Sequence, residues 1–252
     1  IGAQGLNGWL WGLITLDSMK YNIPAGSSYT RTEMIKKILS FQLPDDGFNL
    51  RFAQGSTADP DITAMAIQAL APYYRNSTFN VKDPVDKALD CLSKLQLDTG
   101  DFRSWGTRNS ESVSQIIVSL CSIGVDPQND SRFIKNGINL LDALFYYQQE
   151  DGGFAHSYES DPGNPSAIPG ESNSIATDQA LLALVAVWRQ AQGMSILYDF
   201  RPGSVSAKIL TPEESEVSFA GSYEFTEADR QQADALPKKL STENDEEVTA
   251  LL

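Results

Sequence analysis

Four carboxylates stand at or near the predicted starts of helices that carry almost no other charge. They are Asp61, Glu111, Glu171 and Asp178. If these helices surround a cavity, the carboxylates meet at one of its mouths and can bind a cation or a polar group of a ligand. Acidic residues are also common in the first turn of ordinary helices, where the helix dipole favours negative charge. For Asp61 this second interpretation predicts an N-cap, and capping would lower the pKa of its carboxyl group.

Aromatic residues and the single histidine lie in the loops around the same helices. The aromatic set is Phe48, Phe52, Phe102, Trp105, Phe154 and Tyr158. Such rings can stack on a ligand at a cavity mouth, or they can pack the loops against the core. His156 follows Phe154 and is either a cavity-lining residue or an ordinary loop residue. The candidate ligand-binding residues are therefore the four carboxylates together with Trp105, His156 and Tyr158.

Composition excludes several classes of protein. One histidine and two cysteines cannot form a zinc site from these residue types alone. Cys91 and Cys121 fall within helical patterns and are expected to be buried free thiols, with no disulfide indicated. A net charge of −14 disfavours binding to phosphate backbones. No apolar run approaches the ~20 residues of a membrane span. We therefore predict no metal, no cofactor, no nucleic-acid partner and no membrane span.

A loop motif recurs three times at nearly constant spacing. Its copies begin at Gln42, Gln96 and Gln149, which are 54 and 53 residues apart, and each contains glycine and ends in phenylalanine. The glycines allow the positive φ that ends a helix. The glutamine can bond free polar groups at neighbouring helix ends. A period of about fifty residues fits one helical hairpin with its loops.

The two helices of each repeat differ in their charge pattern. The stretch from Val85 to Leu95 has one apolar and one charged face, whereas residues 62–71, 113–123 and 180–187 contain no Lys, Arg or Glu. A helix that is apolar nearly all round must be enclosed. The pattern predicts an all-α fold with an inner and an outer layer, and a solenoid with an exposed concave face is the competing geometry. The predicted inner and outer pairs are 9–19 with 33–42, 62–74 with 84–96 and 112–123 with 132–148, followed by a lone inner helix at 174–191.

The repeated Gln-x-x-Asp-Gly-Gly-Phe motif, followed by an inner helix that begins Thr-Ala, resembles the repeat shared by squalene cyclases and protein prenyltransferase β subunits. The resemblance covers roughly residues 5 to 200 and implies an α/α toroid. A closed toroid of this kind has six helix pairs and this chain supplies three and a half. We therefore expect either a partial toroid whose missing half lies upstream, or an open arc whose uncovered inner helices meet another chain or a partner segment.

Three segments look more narrowly like secreted or wall-attached repeat proteins of Gram-positive bacteria, which are related to the toroid of cobalamin carriers. The segments are 61–73, 111–113 and 176–179. This resemblance implies a secreted or cell-surface location. It also implies a small hydrophobic or corrinoid-like ligand as the partner.

The segment Asp59-Pro60-Asp61-Ile62-Thr63-Ala64 resembles the Asp-x-Asp-Asp-Thr-Ala motif of class II terpene cyclases. The resemblance implies that Asp61 is the acid that protonates the substrate and that Asp59 is the first aspartate of the motif. Ile62 replaces the last one. Such an acid must be kept protonated by a dry pocket. The zinc motif of the prenyltransferases is absent, because the chain contains no Asp-x-Cys, and we therefore exclude prenyl transfer.

The remaining sequence suggests a domain order. We expect residues 1–200 to form the helical repeat domain, 201–225 a linker or short strands, and 226–252 the start of a separate helical module. The segment 159–172 is too long for a plain connection and is a candidate lid or binding loop.

Three functions follow from these observations. The first is a non-catalytic ligand-binding or scaffold module with a cavity or groove at the N-terminal ends of the inner helices. The second is a terpene-cyclase-like enzyme with Asp61 as general acid, and the third is a structural spacer that meets a partner protein. A dry cavity larger than about 300 Å³ with Asp61 pointing into it would favour catalysis.

Overall fold

The computed structural model describes residues 2–51, 53 and 55–201. Phe52, the predicted module at 226–252 and all of the predicted linker except Arg201 therefore lie outside the described residues. The helices are α1 (Leu6–Ser18), α2 (Arg31–Leu39), α3 (Pro60–Leu70), α4 (Lys82–Leu95), α5 (Ser110–Ile123), α6 (Leu140–Phe145) and α7 (Ser174–Ala191). A short antiparallel hairpin joins β1 (Arg103–Ser104) to β2 (Thr107–Arg108).

The helices form two layers. Inner helices α1, α3, α5 and α7 pack side by side in chain order, and outer helices α2, α4 and α6 each pack against the inner helix that precedes them. Every residue of α3 from Ile62 to Leu70 is buried, and α5 is buried almost throughout. Neither helix contains a basic residue, because neighbours on all sides would leave a charged side chain without water. The all-α prediction is confirmed.

Helix α7 departs from the prediction for inner helices. One face is buried through Ala176, Ala180 and Ala183, whereas Ile175 is 60% exposed and Leu181 is 58% exposed. Within the described part of the chain, no outer helix packs on this second face. The expectation that α7 is enclosed on both sides is therefore wrong for the residues that the structure describes.

The outer helix of the third repeat is much shorter than predicted. The expected helix 132–148 is reduced to α6, which is preceded by a 3₁₀ turn at Ser131–Phe133 and a tight turn closed by Lys135 and Ile138. Asn136 and Gly137 adopt φ values of 51° and 82° in that turn. An Asn-Gly pair strongly favours such a turn, and here it prevails over the apolar periodicity. Asn139 then caps α6.

The repeated glutamines connect neighbouring repeats, as predicted. In the first two copies, Nε2 donates to the carbonyl four residues ahead and to a carbonyl near the next outer helix. The acceptors are Asp46 (2.8 Å) and Pro84 (2.9 Å) for Gln42, and Gly100 (2.8 Å) and Phe133 (3.0 Å) for Gln96. In the third copy, Gln149 instead donates to the Tyr147 carbonyl and the Tyr158 hydroxyl. Gln42 and Gln96 thus each connect the loop of one repeat to the outer layer of the next.

A segment after α7 returns to the first inner helix. The backbone N–H of Phe200 donates to the Ser18 carbonyl at the end of α1 (2.8 Å). The ring of Tyr198 packs edge-on against Trp11, with the ring centroids 5.7 Å apart. This segment therefore links the carboxyl ends of the first and last inner helices.

Candidate functional site

The motif carboxylates of α3 have different roles from those predicted. Asp59, rather than Asp61, is the N-cap, and its carboxylate accepts the backbone N–H of Ile62 (3.0 Å) and the hydroxyl of Ser104 (2.7 Å). Pro60 occupies the first helical position, where its fixed φ suits a helix start and its missing N–H is not needed. The prediction that Asp61 caps the helix is therefore wrong by two residues.

Asp61 lies in the first turn of α3 with one carboxylate oxygen enclosed. Among the described residues, its Oδ1 is buried and has no hydrogen-bond partner, and the same holds for the hydroxyl of Ser112 on α5. Burial raises the pKa of Asp61 to about 7, helped by the charges of Asp59 and Glu111 and opposed by the hydroxyls of Ser112 and Ser104. The predicted lowering of this pKa is wrong, because the amides at the helix end bond to Asp59.

Glu111, in the first turn of α5, binds the only histidine. The carboxylate oxygens of Glu111 lie 2.8 and 2.9 Å from Nδ1 of His156, and Oδ2 of Asp161 lies 3.1 Å from Nε2. The bond to Glu111 is the main cause that raises the pKa of His156, and Asp161 adds to it. His156 therefore joins the start of α5 to the loop 159–172, the candidate lid of the sequence.

We expect His156→Gln to loosen the loop 159–172. The variant removes a charged bridge between two carboxylates, so cleavage within the loop by a broad-specificity protease should rise several-fold. Because the pKa of His156 is raised, the bridge stabilises the loop fully below pH 6.5, the ordinary pKa of histidine. This stabilisation is lost as the pH rises through the raised pKa. Wild-type cleavage should then approach that of the variant. Glu171→Gln, an exposed change in the same loop, is the control, and equal cleavage of all three proteins at pH 6 would refute the bridge.

The other two predicted carboxylates, Glu171 and Asp178, are both exposed. Glu171 precedes α7 by three residues and is exposed, and Asp178 is exposed in the second turn of α7, whose cap is Asn173. The predicted ring of four carboxylates stays a prediction, and the charges that act on Asp61 are those of Asp59 and Glu111.

The aromatic residues divide into two groups. Phe48, Phe102 and Phe154 are buried, which confirms packing for these three. Trp105 is 79% exposed at the hairpin turn with a φ of 51°, and Tyr158 is 45% exposed. Trp105 is therefore open to a ligand, whereas Tyr158 packs on the rings of Tyr146 and Tyr147 and bonds through its hydroxyl to Gln149 and to the Tyr146 carbonyl.

The larger described cavity lies at the opposite end of the inner helices. Its volume is about 1090 Å³, and it is lined by the carboxyl ends of α1, α3, α5 and α7 and by residues 193–199 and 201. None of the predicted site residues lines this cavity or a second one of about 400 Å³ beside α1. Neither of these two cavities lies at the N-terminal ends of the inner helices, where the sequence predicts a cavity or groove.

The wall of this cavity contains an ion pair that the sequence did not indicate. Nε of Arg31 donates to Oδ1 of Asp17 and the hydroxyl of Tyr73 donates to Oδ2, both at 2.6 Å. Burial and the bond to Asp17 raise the pKa of Tyr73 well above its ordinary value. These residues are 14 and 56 positions from Asp17, so no local pattern could have joined them.

The remaining chemistry of the described chain is sparse. Cys91 and Cys121 are buried and free, as predicted, and burial raises the pKa of their thiols to about 11 and about 12. No group of three or more His, Cys, Asp or Glu residues in the described part is placed to hold a metal ion. None of the described helices combines the length and the apolarity needed to span a membrane.

Layered helical hairpins with a repeated Gln-Gly-Phe loop define an all-α repeat protein of the squalene cyclase and prenyltransferase type. The family model of the squalene-hopene cyclase C-terminal domain matches residues 41–196, more than half of the chain. The chain belongs to this family, which confirms the resemblance seen in the repeats. A search of curated proteins gave no match.

Proposed function

We propose that this chain is a ligand-binding module built on a cyclase-type scaffold, and that it binds its ligand without transforming it. The observation that supports the proposal is the separation of the cavity from the acid. The described space large enough for a ligand lies at the carboxyl ends of the inner helices, whereas Asp61 lies at the amino end of α3.

The separation is large on the scale of proton transfer. Gln68 is the residue of α3 closest in sequence to Asp61 that lines the cavity. Seven residues of helix separate the two by roughly 10 Å along the axis. A general acid must come within about 3 Å of the atom that it protonates, or act through one water. A ligand in this cavity is therefore out of reach of Asp61.

Acid catalysis by Asp61 is the second candidate. It is supported by the raised pKa of about 7 and by the buried Oδ1 that has no partner among the described residues. Such a carboxyl group holds a proton near neutral pH, as a general acid must. The substitution of Ile62 for the last motif aspartate and the position of the cavity favour the binding module instead.

Native mass spectrometry of the full chain after incubation in a rich extract tests the proposal. We expect a retained small molecule, and we expect Ser122→Trp to abolish retention by filling the cavity from its partly exposed wall. Ser40→Trp, on an exposed outer helix end, is the control and should retain the molecule. Retention of the molecule by both variants would show that it binds outside this cavity and would contradict the proposal. No retained molecule at all would favour the spacer.

Incubation with polyprenyl substrates separates binding from catalysis. The binding module is expected to release no cyclised product, with or without the change Asp61→Asn. A cyclised product that the wild type forms and the Asp61→Asn variant does not would establish the second candidate in place of the first.

Location and ligand type rest on resemblance. A secreted or cell-surface location, a corrinoid-like ligand and closure of the toroid by further chain all stay predictions. Fractionation of the source cells would test the first, and a corrinoid absorption spectrum on the purified protein would test the second.

A further inference from the structure

We propose that the cavity at the carboxyl ends of the inner helices binds an amphiphilic organic anion. Its apolar body would lie in the cavity and its anionic group would pair with Lys20 and Arg75 at the rim. This inference rests on the proposed binding function and names the class of ligand.

The charge of the cavity wall is opposite to that of the chain. The net charge of the chain is −14, yet its cavity wall carries four cationic and two anionic side chains. The cations are Lys20, Arg31, Arg75 and Arg201, and the anions are Asp17 and Asp199. The side chains of the wall thus sum to +2, and this charge favours an anion against the negative ends of the four helix dipoles.

Two of these cations are available to a ligand. Arg31 is committed to Asp17 and to the carbonyls of Leu16 and Tyr21, and Arg201 pairs with Asp199. In the part of the chain that the structure describes, the side chains of Lys20 and Arg75 form no hydrogen bond or salt bridge, and both residues are exposed. A ligand anion would therefore displace no existing ion pair.

The fold holds both cations at the same rim. The hydroxyl of Tyr73 donates a hydrogen bond to Asp17. Lys20 lies three positions after Asp17, and Arg75 lies two positions after Tyr73. The guanidinium of Arg75 extends across the end of α5, where a Cβ on Gly124 would lie 3.2 Å from its Nη2. Both cations thus line the cavity and lie close in the chain to this bonded pair.

The rest of the wall suits an apolar body. Phe79, Ile123, Met194 and Leu197 line the cavity, and Cys121 adds a thiol that burial keeps neutral. A volume of about 1090 Å³ accommodates a ligand of drug-like size. Apolar walls and cations at the rim together select a molecule with an apolar body and an anionic end.

Two dyes with the same ring system test this class of ligand on the full chain. The probes are 1-anilinonaphthalene-8-sulfonate and N-phenyl-1-naphthylamine, which lacks the sulfonate. Fluorescence titration should show one site for each dye, abolished by Ser122→Trp, with the sulfonate dye bound more tightly. Added salt should weaken binding of the sulfonate dye and leave the affinity for the neutral dye unchanged, because salt screens the contact between the sulfonate and the cations.

Removing the two rim cations gives the sharpest result. The double variant Lys20→Gln with Arg75→Gln should weaken binding of the sulfonate dye about tenfold, since charge-assisted hydrogen bonds are lost. It should leave the affinity for the neutral dye unchanged. Lys36→Gln with Lys94→Gln is the control, because it makes the same charge change on exposed outer-helix positions away from the cavity.

The possible failures are distinguishable. If both dyes occupy the Ser122-sensitive site and the rim variant affects neither or both equally, the anion inference is wrong and the binding function stands. If neither dye binds a site that Ser122→Trp abolishes, the proposed binding function fails and the inference fails with it. Unchanged unfolding midpoints show that the variants are folded in either case.

Discussion

Asp61→Asn should make the fold more stable than the wild type at alkaline pH, by roughly 4 kcal/mol, and should leave its stability nearly unchanged in acid. The pKa of Asp61 is about 7 in the folded protein against an ordinary value of 3.8. Each tenfold difference in proton affinity is worth about 1.4 kcal/mol. The folded protein holds the proton of Asp61 more tightly than the unfolded chain does, and the stability gained in this way is complete below pH 3.8. It is lost as the pH rises towards the folded pKa of about 7. Asparagine is similar in shape to the protonated acid and never ionises.

Urea unfolding of both proteins from pH 4 to pH 9 measures this difference directly. Asp178→Asn is the matched control, because Asp178 is an exposed aspartate near the start of another inner helix. The curves of the wild type and the Asp178 variant should run in parallel. Parallel curves for the Asp61 variant as well would show that Asp61 ionises freely and would remove the support for acid catalysis.

The buried acid also explains why this position is not an ordinary helix start. An acid in a first turn normally gains from the helix dipole, and Asp59 already bonds the free amide of Ile62. Asp61 adds a second carboxyl that has no partner for its Oδ1 among the described residues. Such a residue weakens the fold near neutral pH and is therefore a candidate for a role in function.

Helix type and layering could be predicted from the sequence because each rests on a local pattern. The absence of basic residues in 62–71 and 113–123 predicted α3 and α5, which are buried throughout or nearly so. The repeated glutamine predicted the contacts of Gln42 and Gln96 with neighbouring helix ends. The same reasoning failed at α6, where two residues, Asn136 and Gly137, replaced most of a predicted helix with a turn.

The candidate sites could not be predicted in the same way because they depend on contacts between distant segments. His156 gains its role from Glu111, 45 residues before it, and from Asp161 in the following loop. The cavity rim joins Asp17 to Tyr73 through one hydrogen bond. A free cation such as Arg75 looks in the sequence like any other surface residue. Its environment becomes apparent once the ends of four helices meet.

A second buried acid, Asp101, has the opposite effect on stability. Its side chain is 2% exposed and accepts hydrogen bonds from Arg108 (2.7 and 2.9 Å), Tyr147 (2.7 Å) and Thr99 (2.6 Å). Burial alone would raise the pKa of Asp101, but the bonds from Arg108, Thr99 and Tyr147 lower it. The carboxylate thus joins the second repeat loop to the hairpin and to the end of α6.

Asp101→Asn should therefore destabilise the fold by about 3 kcal/mol at pH 7, because an amide cannot accept both donors of Arg108 and leaves its charge without a partner. The stability supplied by a lowered pKa is present above the ordinary value of 3.8 and is lost as the pH falls through the folded pKa. Urea unfolding at pH 7 and pH 3 should show the two proteins converging in acid, as for Asp61, but with the variant as the less stable protein at pH 7 and not the more stable one. Asp98→Asn, an exposed change in the same loop, should cost less than about 0.5 kcal/mol. An equal and small effect of both substitutions would mean that Arg108 and Tyr147 are held by packing and not by this carboxylate.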